Sequence, residues 1–424
     1  MTARPESWST PAEPRRAVVA AGLAIALFAG VWVALHHGFY RHSQISDTPI
    51  YQRYGDAMAD GQVPYRDFGL EYPPAVLPVF VTPSLLRSEK GNLARYRDGF
   101  EAEMLACGML ALLFMLSILL RLEAGAVRLT LALGLAAAAP LLLGSVVLSR
   151  FDFWLAALTA GALAALVSGR DRLGLGVLGL AFAAKLYPAA LLPLALTWVW
   201  RRRGRREAAV CAGVFAAVAL ACFLPFLVVA PHGVWDALTR QTNRPLQIEA
   251  LGAGFLLVAH QLVDVGVTMR SSHGSQNLAG AGPDALAAIQ TVVQLSALVA
   301  VSVWFARGPA DRERLVRASA AAVCAFVAFG KVLSPQFLIW LIPLVPLVRG
   351  RRGLAAGGLL AVALALTQLW FPYRYWDLVF HFPALQSYLV LARDLTLVAL
   401  LAVLVWPERP RLGMVSRRRR AAAR

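Results

Sequence analysis

The chain has 424 residues, of which 58% are hydrophobic and only 15% are charged, with a mean hydropathy of +0.61. This composition excludes an ordinary soluble globular domain. The formal net charge of +17 comes from short arginine clusters between apolar runs, as at residues 201–206, so it indicates cytoplasmic loops of a membrane protein and not a nucleic-acid-binding surface.

The apolar runs predict an all-α polytopic membrane protein, because a spanning helix needs about 20 apolar residues. We predict about twelve transmembrane helices, at residues 17–37, 99–120, 129–149, 153–168, 173–186, 188–200, 207–230, 285–305, 318–332, 335–348, 353–370 and 388–406. The first run lacks a signal-peptide cleavage site and is expected to be retained. With this topology, 26 of the 41 Lys and Arg residues fall in tails and loops on one side, which places both termini in the cytoplasm of a cell-membrane protein.

The predicted domain organisation is simple. Residues 17–406 form one transmembrane domain, preceded by a cytosolic tail at 1–16 and followed by a basic cytosolic tail at 407–424. The long outer loops are residues 38–98 and 231–284.

The segment 73–86 of the first outer loop is apolar but has only 14 residues and begins with two prolines. It could be a short span or a helix on the membrane surface. A span there would turn every later arginine cluster outward, so we predict an interfacial helix.

Two segments, 173–200 and 318–348, are too long for one span and too short for two full ones. We predict short hairpins whose tips leave a recess for a lipid headgroup below the outer surface. Two of the three lysines in the chain, Lys185 and Lys331, lie at these tips, each close to a proline and a hydroxyl group. A cation in this position is a candidate phosphate ligand; the alternative is a lysine that snorkels to the interface and only anchors a helix.

The sequence Arg150-Phe151-Asp152 lies between two apolar runs at the predicted outer face. Its Arg150 could join the lysines around a phosphate, because a guanidinium binds phosphate through paired donors. The alternative is an internal ion pair at a tight turn.

The first outer loop alternates carboxylates and tyrosines, several of which are expected to be ordinary solvated loop residues. Asp47 differs because it lies about ten residues beyond the first span, close to the membrane surface. A carboxylate facing an acceptor hydroxyl, with cations opposite to stabilise a departing phosphate, is the minimum apparatus for moving a sugar from a lipid phosphate.

Together these segments resemble glycosyltransferase family 87, which belongs to the GT-C membrane glycosyltransferases and includes polyprenyl-phosphate-mannose-dependent mannosyltransferases. The resemblance, over about residues 17–405, rests on the order and spacing of Asp47-x-x-x-Tyr51, Pro64-Tyr65, Tyr72-Pro73-Pro74, Arg150-Phe151-Asp152, Lys185-Leu186-Tyr187-Pro188 and Lys331 to Gln336. It implies a GT-C-like fold, a sugar donor on a polyprenyl phosphate, a catalytic aspartate in the first outer loop and inversion at the anomeric carbon. Mannose is the leading candidate sugar, and the acceptor is a glycolipid or glycan of the cell envelope.

The residues expected to perform this reaction fall into three groups. Asp47 is the expected catalytic base. The expected ligands of the donor phosphate are Arg150, Lys185, Tyr187 and Lys331. The expected sugar or acceptor contacts are Tyr51, Asp67, Glu71, Tyr72, Asp152, Ser334 and Gln336. We expect no metal and no cofactor, because the cations stabilise the leaving phosphate; the partners are membrane lipids, donor and acceptor, and no nucleic acid.

The main alternative function is a transporter or flippase of a lipid-linked precursor. Such a protein is expected to have paired repeats and ionisable groups in mid-membrane. The sequence shows no repeat, and we expect no charge in the middle of a span, which favours chemistry on one face. A catalytically inactive scaffold is a second alternative.

Overall fold

A computed structural model describes residues 11–41, 45–86 and 91–407. Through these residues the backbone forms α1 (Pro14–Ala34), α2 (Thr48–Ala59), α3 (Leu77–Leu85), α4 (Leu93–Arg121), α5 (Ala126–Leu143), α6 (Asp152–Val167), α7 (Asp171–Ala184), α8 (Leu192–Arg203), α9 (Arg205–Val229), α10 (Pro231–Thr242), α11 (Leu251–Val263), α12 (Ala281–Arg307), α13 (Arg312–Ala328), α14 (Gly350–Gln368), α15 (Tyr375–His381) and α16 (Ala384–Val405). Short 3-10 helices occupy Gly38–Arg41, Pro74–Val76, Ser145–Leu148, Tyr187–Leu191, Pro335–Leu341 and Val345–Leu347.

Six of these helices, α1, α4, α5, α9, α12 and α16, are long and apolar enough to cross a membrane. The chain is therefore a multi-pass membrane protein. The predicted count of about twelve spans is not confirmed. Most of the other predicted spans coincide with helices of 12 to 19 residues, α6, α7, α8, α13 and α14.

The predicted helical span at 335–348 is wrong in its secondary structure. The backbone there forms two 3-10 helices, because Pro335, Pro343 and Pro346 remove amide donors at short intervals. The segment is nevertheless enclosed by protein, with Trp340 and Leu341 at most 1% exposed. Irregular backbone at this depth is tolerated because other parts of the protein surround it.

The second outer loop is more structured than the sequence analysis predicts, and the all-α prediction is wrong there. Besides α10 and α11 it holds an antiparallel hairpin of β1 (Thr268–Ser272) and β2 (Ser275–Ala279). The two turn residues, His273 and Gly274, both have positive φ, as in the tight turns that match the twist of a hairpin. An isolated bridge joins β2 to Gln247, so the hairpin is attached to the segment that precedes α11.

The apolar segment 73–86 is a helix, α3, preceded by a 3-10 turn. Val76 and Phe80 are fully buried, and the Tyr96 hydroxyl of α4 donates to the Phe80 carbonyl at 2.9 Å. This segment therefore packs against protein on one side; its position on the membrane surface stays a prediction.

The loops that carry the arginine clusters meet one another. Arg128 donates to Glu313 at 2.6 Å, and Arg203 donates to Asp171 at 2.5 Å. Because Asp171 follows the end of α6 while Asp152 begins that helix, the arginine-rich loops and Asp152 lie at opposite ends of α6. The side of the membrane on which each end lies stays a prediction. Residues 1–10 and 408–424, which hold most of the two predicted tails, lie outside the described residues.

Candidate functional site

Asp47 lies at the N-terminus of α2, where the helix dipole favours a negative charge. Its side chain makes no capping hydrogen bond; instead the Thr48 amide donates to the Ser46 hydroxyl at 3.3 Å. The Asp47 carboxylate is thus free to contact Nη1 of Arg150, and it accepts a long 3.4 Å hydrogen bond from the Tyr51 hydroxyl. The structure therefore brings together the predicted base and a predicted phosphate ligand.

A second ion pair adjoins the first. Oδ1 of Asp152 accepts from Nζ of Lys185 at 2.7 Å and from the indole N–H of Trp340 at 2.6 Å. Asp152 is the first residue of α6, and Lys185 is the residue at which α7 ends. Thus Arg150 and Asp152, two residues apart, each hold one partner from another part of the chain.

Each pair has one hidden and one accessible member. The side chains of Arg150 and Asp152 are 7% and 1% exposed, whereas those of Asp47 and Lys185 are 26% and 19% exposed. A ligand can therefore approach a carboxylate and an ammonium group that are held in place by buried partners.

Aromatic rings connect the two ion pairs. Nζ of Lys185 lies 4.7 Å from the ring centre of Phe151, 4.8 Å from Trp340 and 5.0 Å from Phe337, within the range of cation–π attraction. The Phe151 ring also packs edge-on against Tyr72 at 5.1 Å. The ammonium group is thereby fixed between its carboxylate and these faces.

Two predicted sugar or acceptor contacts, Tyr72 and Glu71, lie beside the aromatic rings that surround Lys185. The Tyr72 ring is 6.0 Å from Tyr51. The Glu71 carboxylate lies against Gly274 in the turn of the β1–β2 hairpin. The two are so close that a side-chain Cβ at position 274 would lie 3.3 Å from a carboxylate oxygen. Glu71 thus connects the first outer loop to the second.

Lys331 and the residues after it make a separate set of contacts. Its ammonium group donates to the Thr242 carbonyl at the end of α10, at 2.9 Å. The Ser334 hydroxyl accepts from the Gln247 amide at 2.9 Å, and Gln336 is half-buried in the following 3-10 helix. The contacts of Lys331 and Ser334 hold the second outer loop, and the roles predicted for all three residues toward phosphate or sugar stay predictions.

Asp67 closes a turn of the first outer loop. Its carboxylate accepts from Arg66 at 2.9 Å and from the Val63 amide at 2.7 Å. These hydrogen bonds, that from Arg66 above all, lower the pKa of Asp67 to about 2. Asp67 therefore stays ionised at neutral pH as part of the loop structure, and its predicted sugar contact stays a prediction.

Tyr187 is 1% exposed, and its hydroxyl lies 2.7 Å from the Thr159 hydroxyl, in the interior. We expect Tyr187→Phe to retain the donor KM of the wild type within about twofold. The variant should lose about 1 kcal/mol of stability, the usual net value of one hydrogen bond. Donor titrations and thermal unfolding check both statements, with Thr159→Val as the matched control for stability. A tenfold rise in donor KM would instead support the predicted contact with phosphate.

The sequence analysis missed a buried ion pair inside α16. Arg393 and Asp394, tenth and eleventh of the 22 residues of α16, form a 2.6 Å ion pair that is 0% exposed. The expectation that no charge lies in the middle of a span is therefore wrong. Nη2 of Arg393 also donates to the main-chain carbonyl of Glu249 at 2.8 Å. The signal was available, because an Arg-Asp pair inside an apolar run is a functional candidate by default.

In residues 11–41, 45–86 and 91–407, no group of three or more His, Cys, Asp or Glu side chains could hold a metal ion. The metal-independent reaction stays a prediction.

Comparison with models of protein families agrees with the resemblance seen in the sequence. The model of glycosyltransferase family 87 matches residues 70–335, more than half of the chain. The match is shorter than the resemblance over 17–405; it includes Arg150, Asp152, Lys185 and Lys331 but begins after Asp47. Among solved structures the chain is similar to ArnT from Cupriavidus metallidurans, crystallised with bound undecaprenyl phosphate, with 16% identity, coverage of 90% of this chain and 76% of ArnT, and a TM-score of 0.49. No curated protein matches the chain.

Proposed function

Because the chain belongs to glycosyltransferase family 87, we propose that it transfers a sugar, with mannose as the first candidate, from a polyprenyl-phosphate-linked donor. The acceptor is a glycolipid or glycan of the cell envelope, and transfer takes place on the outer face of the membrane. That the chain is a membrane glycosyltransferase follows from the family match and the spanning helices. The sugar, the lipid carrier, the acceptor and the face of the membrane are the proposal.

The observation that supports it best is the pairing of Asp47 with Arg150 beside the pair of Asp152 with Lys185. Asp47 and Lys185 are the accessible members of these pairs. The rings of Phe151 and Tyr51 lie between them: Lys185 is over the Phe151 ring, Phe151 packs against Tyr51, and the Tyr51 hydroxyl donates to Asp47. An accessible carboxylate and an accessible cation match the two ends of a glycosyl transfer, the acceptor hydroxyl and the leaving phosphate.

In the proposed mechanism Asp47 removes the proton from an acceptor hydroxyl. The acceptor oxygen attacks the anomeric carbon from the face opposite the phosphate, the bond from that carbon to the phosphate oxygen breaks, and polyprenyl phosphate leaves with the electron pair. The product therefore has the inverted configuration. Lys185 and Arg150 stabilise the growing negative charge of the phosphate. Because Lys185 is already oriented by the buried Asp152, little reorganisation of this cation accompanies the reaction.

One observation favours the transporter alternative, and others favour a transferase. The Arg393–Asp394 pair places charge inside a spanning helix, which a transporter often requires. The family match, however, is to a transferase, and the accessible charged groups Asp47 and Lys185 lie at one end of the helices. We therefore retain the transferase.

The test is transfer of radiolabelled mannose from synthetic polyprenyl-phosphate-mannose to native membrane lipids by the purified protein. We expect labelled lipid with wild-type protein and none without it. If mannose fails, donors carrying other hexoses or pentoses on the same lipid are tested. Failure with all of them, together with energy-independent movement of lipid-linked sugar across vesicles, would support the transporter instead.

A further inference from the structure

A groove of about 640 Å³ lies between the first halves of α1 and α5, lined by residues from Ala12 to Leu27 on one side and from Ala126 to Gly134 on the other. The two helices start side by side, because the Ala12 amide donates to the Ala124 carbonyl at 3.0 Å. The other end of α5 leads to Arg150. The groove therefore lies at the end of α5 that adjoins the arginine-rich loops, away from the candidate active site.

The lining of the groove is mostly apolar and exposed. On α1 it includes the exposed side chains of Val19, Leu23 and Leu27. On α5 it includes Gly134, where an added Cβ would meet no heavy atom within 4 Å. Both helices are long and apolar enough to cross a membrane, and an empty groove would lose the dispersion contacts of its lining. A hydrocarbon chain is the occupant that this lining favours.

The depth of the groove matches one leaflet of a bilayer. Leu27 lies eleven positions beyond Arg16 on α1, so about 16 Å separate them along the helix axis. Half of the hydrocarbon core of a bilayer is about 15 Å thick, whereas a spanning helix needs about 30 Å. A single acyl chain therefore fits the groove better than the spanning helix of a partner does.

The end of the groove at the start of α1 carries positive charge. Arg15 and Arg16 both line it and are exposed. Arg16 lies 3.7 Å from Glu13, which also lines the groove, and this exposed pair is weak. Arg15 has no ion-pair partner among the residues that the structure describes. The net charge of these three side chains is positive, and guanidinium groups bind phosphate through paired donors.

We propose that this groove is a binding site for one anionic phospholipid of the leaflet next to the arginine-rich loops. An acyl chain lies along Val19, Leu23 and Leu27, and the headgroup phosphate binds Arg15 and Arg16. A zwitterionic lipid also has a phosphate, but the net positive charge of the site repels its cationic headgroup. The site does not depend on the proposed sugar transfer, because it lies at the opposite end of α5 from the candidate active site.

The first test is native mass spectrometry of the full-length protein, which measures the dissociation constant of the first bound lipid. Phosphatidylglycerol is compared with phosphatidylcholine of the same acyl chains. Wild type should bind phosphatidylglycerol at least about fivefold more tightly, the usual contribution of one basic residue near an anionic membrane surface. Arg15→Gln with Arg16→Gln should abolish this preference. The matched control is Arg205→Gln with Arg206→Gln, an exposed pair at the start of the spanning helix α9 and outside the groove, which should keep it.

The second test fills the groove. Gly134→Leu should weaken the binding of both lipids by about tenfold or more, because its side chain takes the place of several methylene groups of the acyl chain. Gly22→Leu is the matched control, since Gly22 lies on α1 with equally open space around it but does not line the groove. Both variants place a better helix former than glycine in a helix, so neither should lower the melting temperature.

Four results would overturn the inference. Equal affinity of wild type for the two lipids, or loss of the preference in both arginine variants alike, would exclude a headgroup site at Arg15 and Arg16. Equal effects of Gly134→Leu and Gly22→Leu would place the bound lipid outside the groove.

Undecaprenyl phosphate that binds more tightly than phosphatidylglycerol and is lost in Gly134→Leu would identify the lipid carrier as the occupant. A wild-type dimer that Gly134→Leu converts to a monomer would identify the groove as an interface between copies of the chain. If Gly134→Leu does not fold, the exposed arginine variants still decide the question. Failure to observe sugar transfer would contradict the proposed function alone, because neither test uses catalysis.

Discussion

Asp47→Asn is expected to lower kcat for sugar transfer by about a hundredfold or more, the usual contribution of a positioned general base. Asn has the same size and can still face Arg150, but it cannot accept the proton of the acceptor hydroxyl. Donor binding should change little or tighten, because Arg150 loses a competing negative charge. Initial rates with labelled donor, together with the donor dissociation constant, measure both effects.

Asp60→Asn is the control for this experiment, because Asp60 caps the other end of the same helix, α2. It should keep wild-type kcat. If Asp47→Asn also keeps it, Asp47 is not the base, and the neighbouring carboxylates Asp67 and Glu71 become the residues to test. Asp67 is then the weaker candidate, since the hydrogen bonds that lower its pKa to about 2 make it a poor proton acceptor.

Lys185→Met is expected to reduce kcat/KM for the donor by about a hundredfold, because it removes an oriented cation from the leaving phosphate. It also leaves the Asp152 carboxylate, 1% exposed, with the Trp340 indole but without its cation. Breaking a buried ion pair from one side typically costs about 3–5 kcal/mol. We therefore expect a large fall in the melting temperature as well as in the rate.

The double variant Lys185→Met with Asp152→Asn separates these two effects. Removing both charges should restore most of the melting temperature, since neither buried charge is then unpaired. The rate should stay low, because the phosphate ligand is still absent. Recovery of the rate along with the stability would show that the pair of Lys185 and Asp152 is only structural.

The secondary structure was predictable where one local signal dominated. Long apolar runs placed α1, α4, α9, α12 and α16 to within a few residues at most ends. The prediction failed at 335–348, where three prolines outweigh hydropathy, and in the second outer loop, where a hairpin forms on segments without strong alternation. Hydropathy predicts whether a segment lies in an apolar environment or in water, but it does not predict which backbone hydrogen bonds the segment forms.

The candidate site was predictable in its members but not in their pairing. The rarity of lysine pointed to Lys185 and Lys331 alike, yet one is held by Asp152 among aromatic rings and the other by a main-chain carbonyl of α10. Nothing in their similar local sequences distinguishes these partners. They come from segments more than 30 residues away, so only the packed chain decides them.

By itself the sequence determined that the chain is a membrane protein and approximately where its spans lie. It also determined which polar residues are candidates for a functional role. These are properties of single segments, set by the transfer of side chains between water and lipid. The tertiary structure alone decided that Asp47 meets Arg150, that Tyr187 turns inward to Thr159, and that Glu249 lies buried beside the cluster of Arg393. These depend on distances between segments remote in the chain, and burial changes the energy of a charge far more than its neighbours in sequence do.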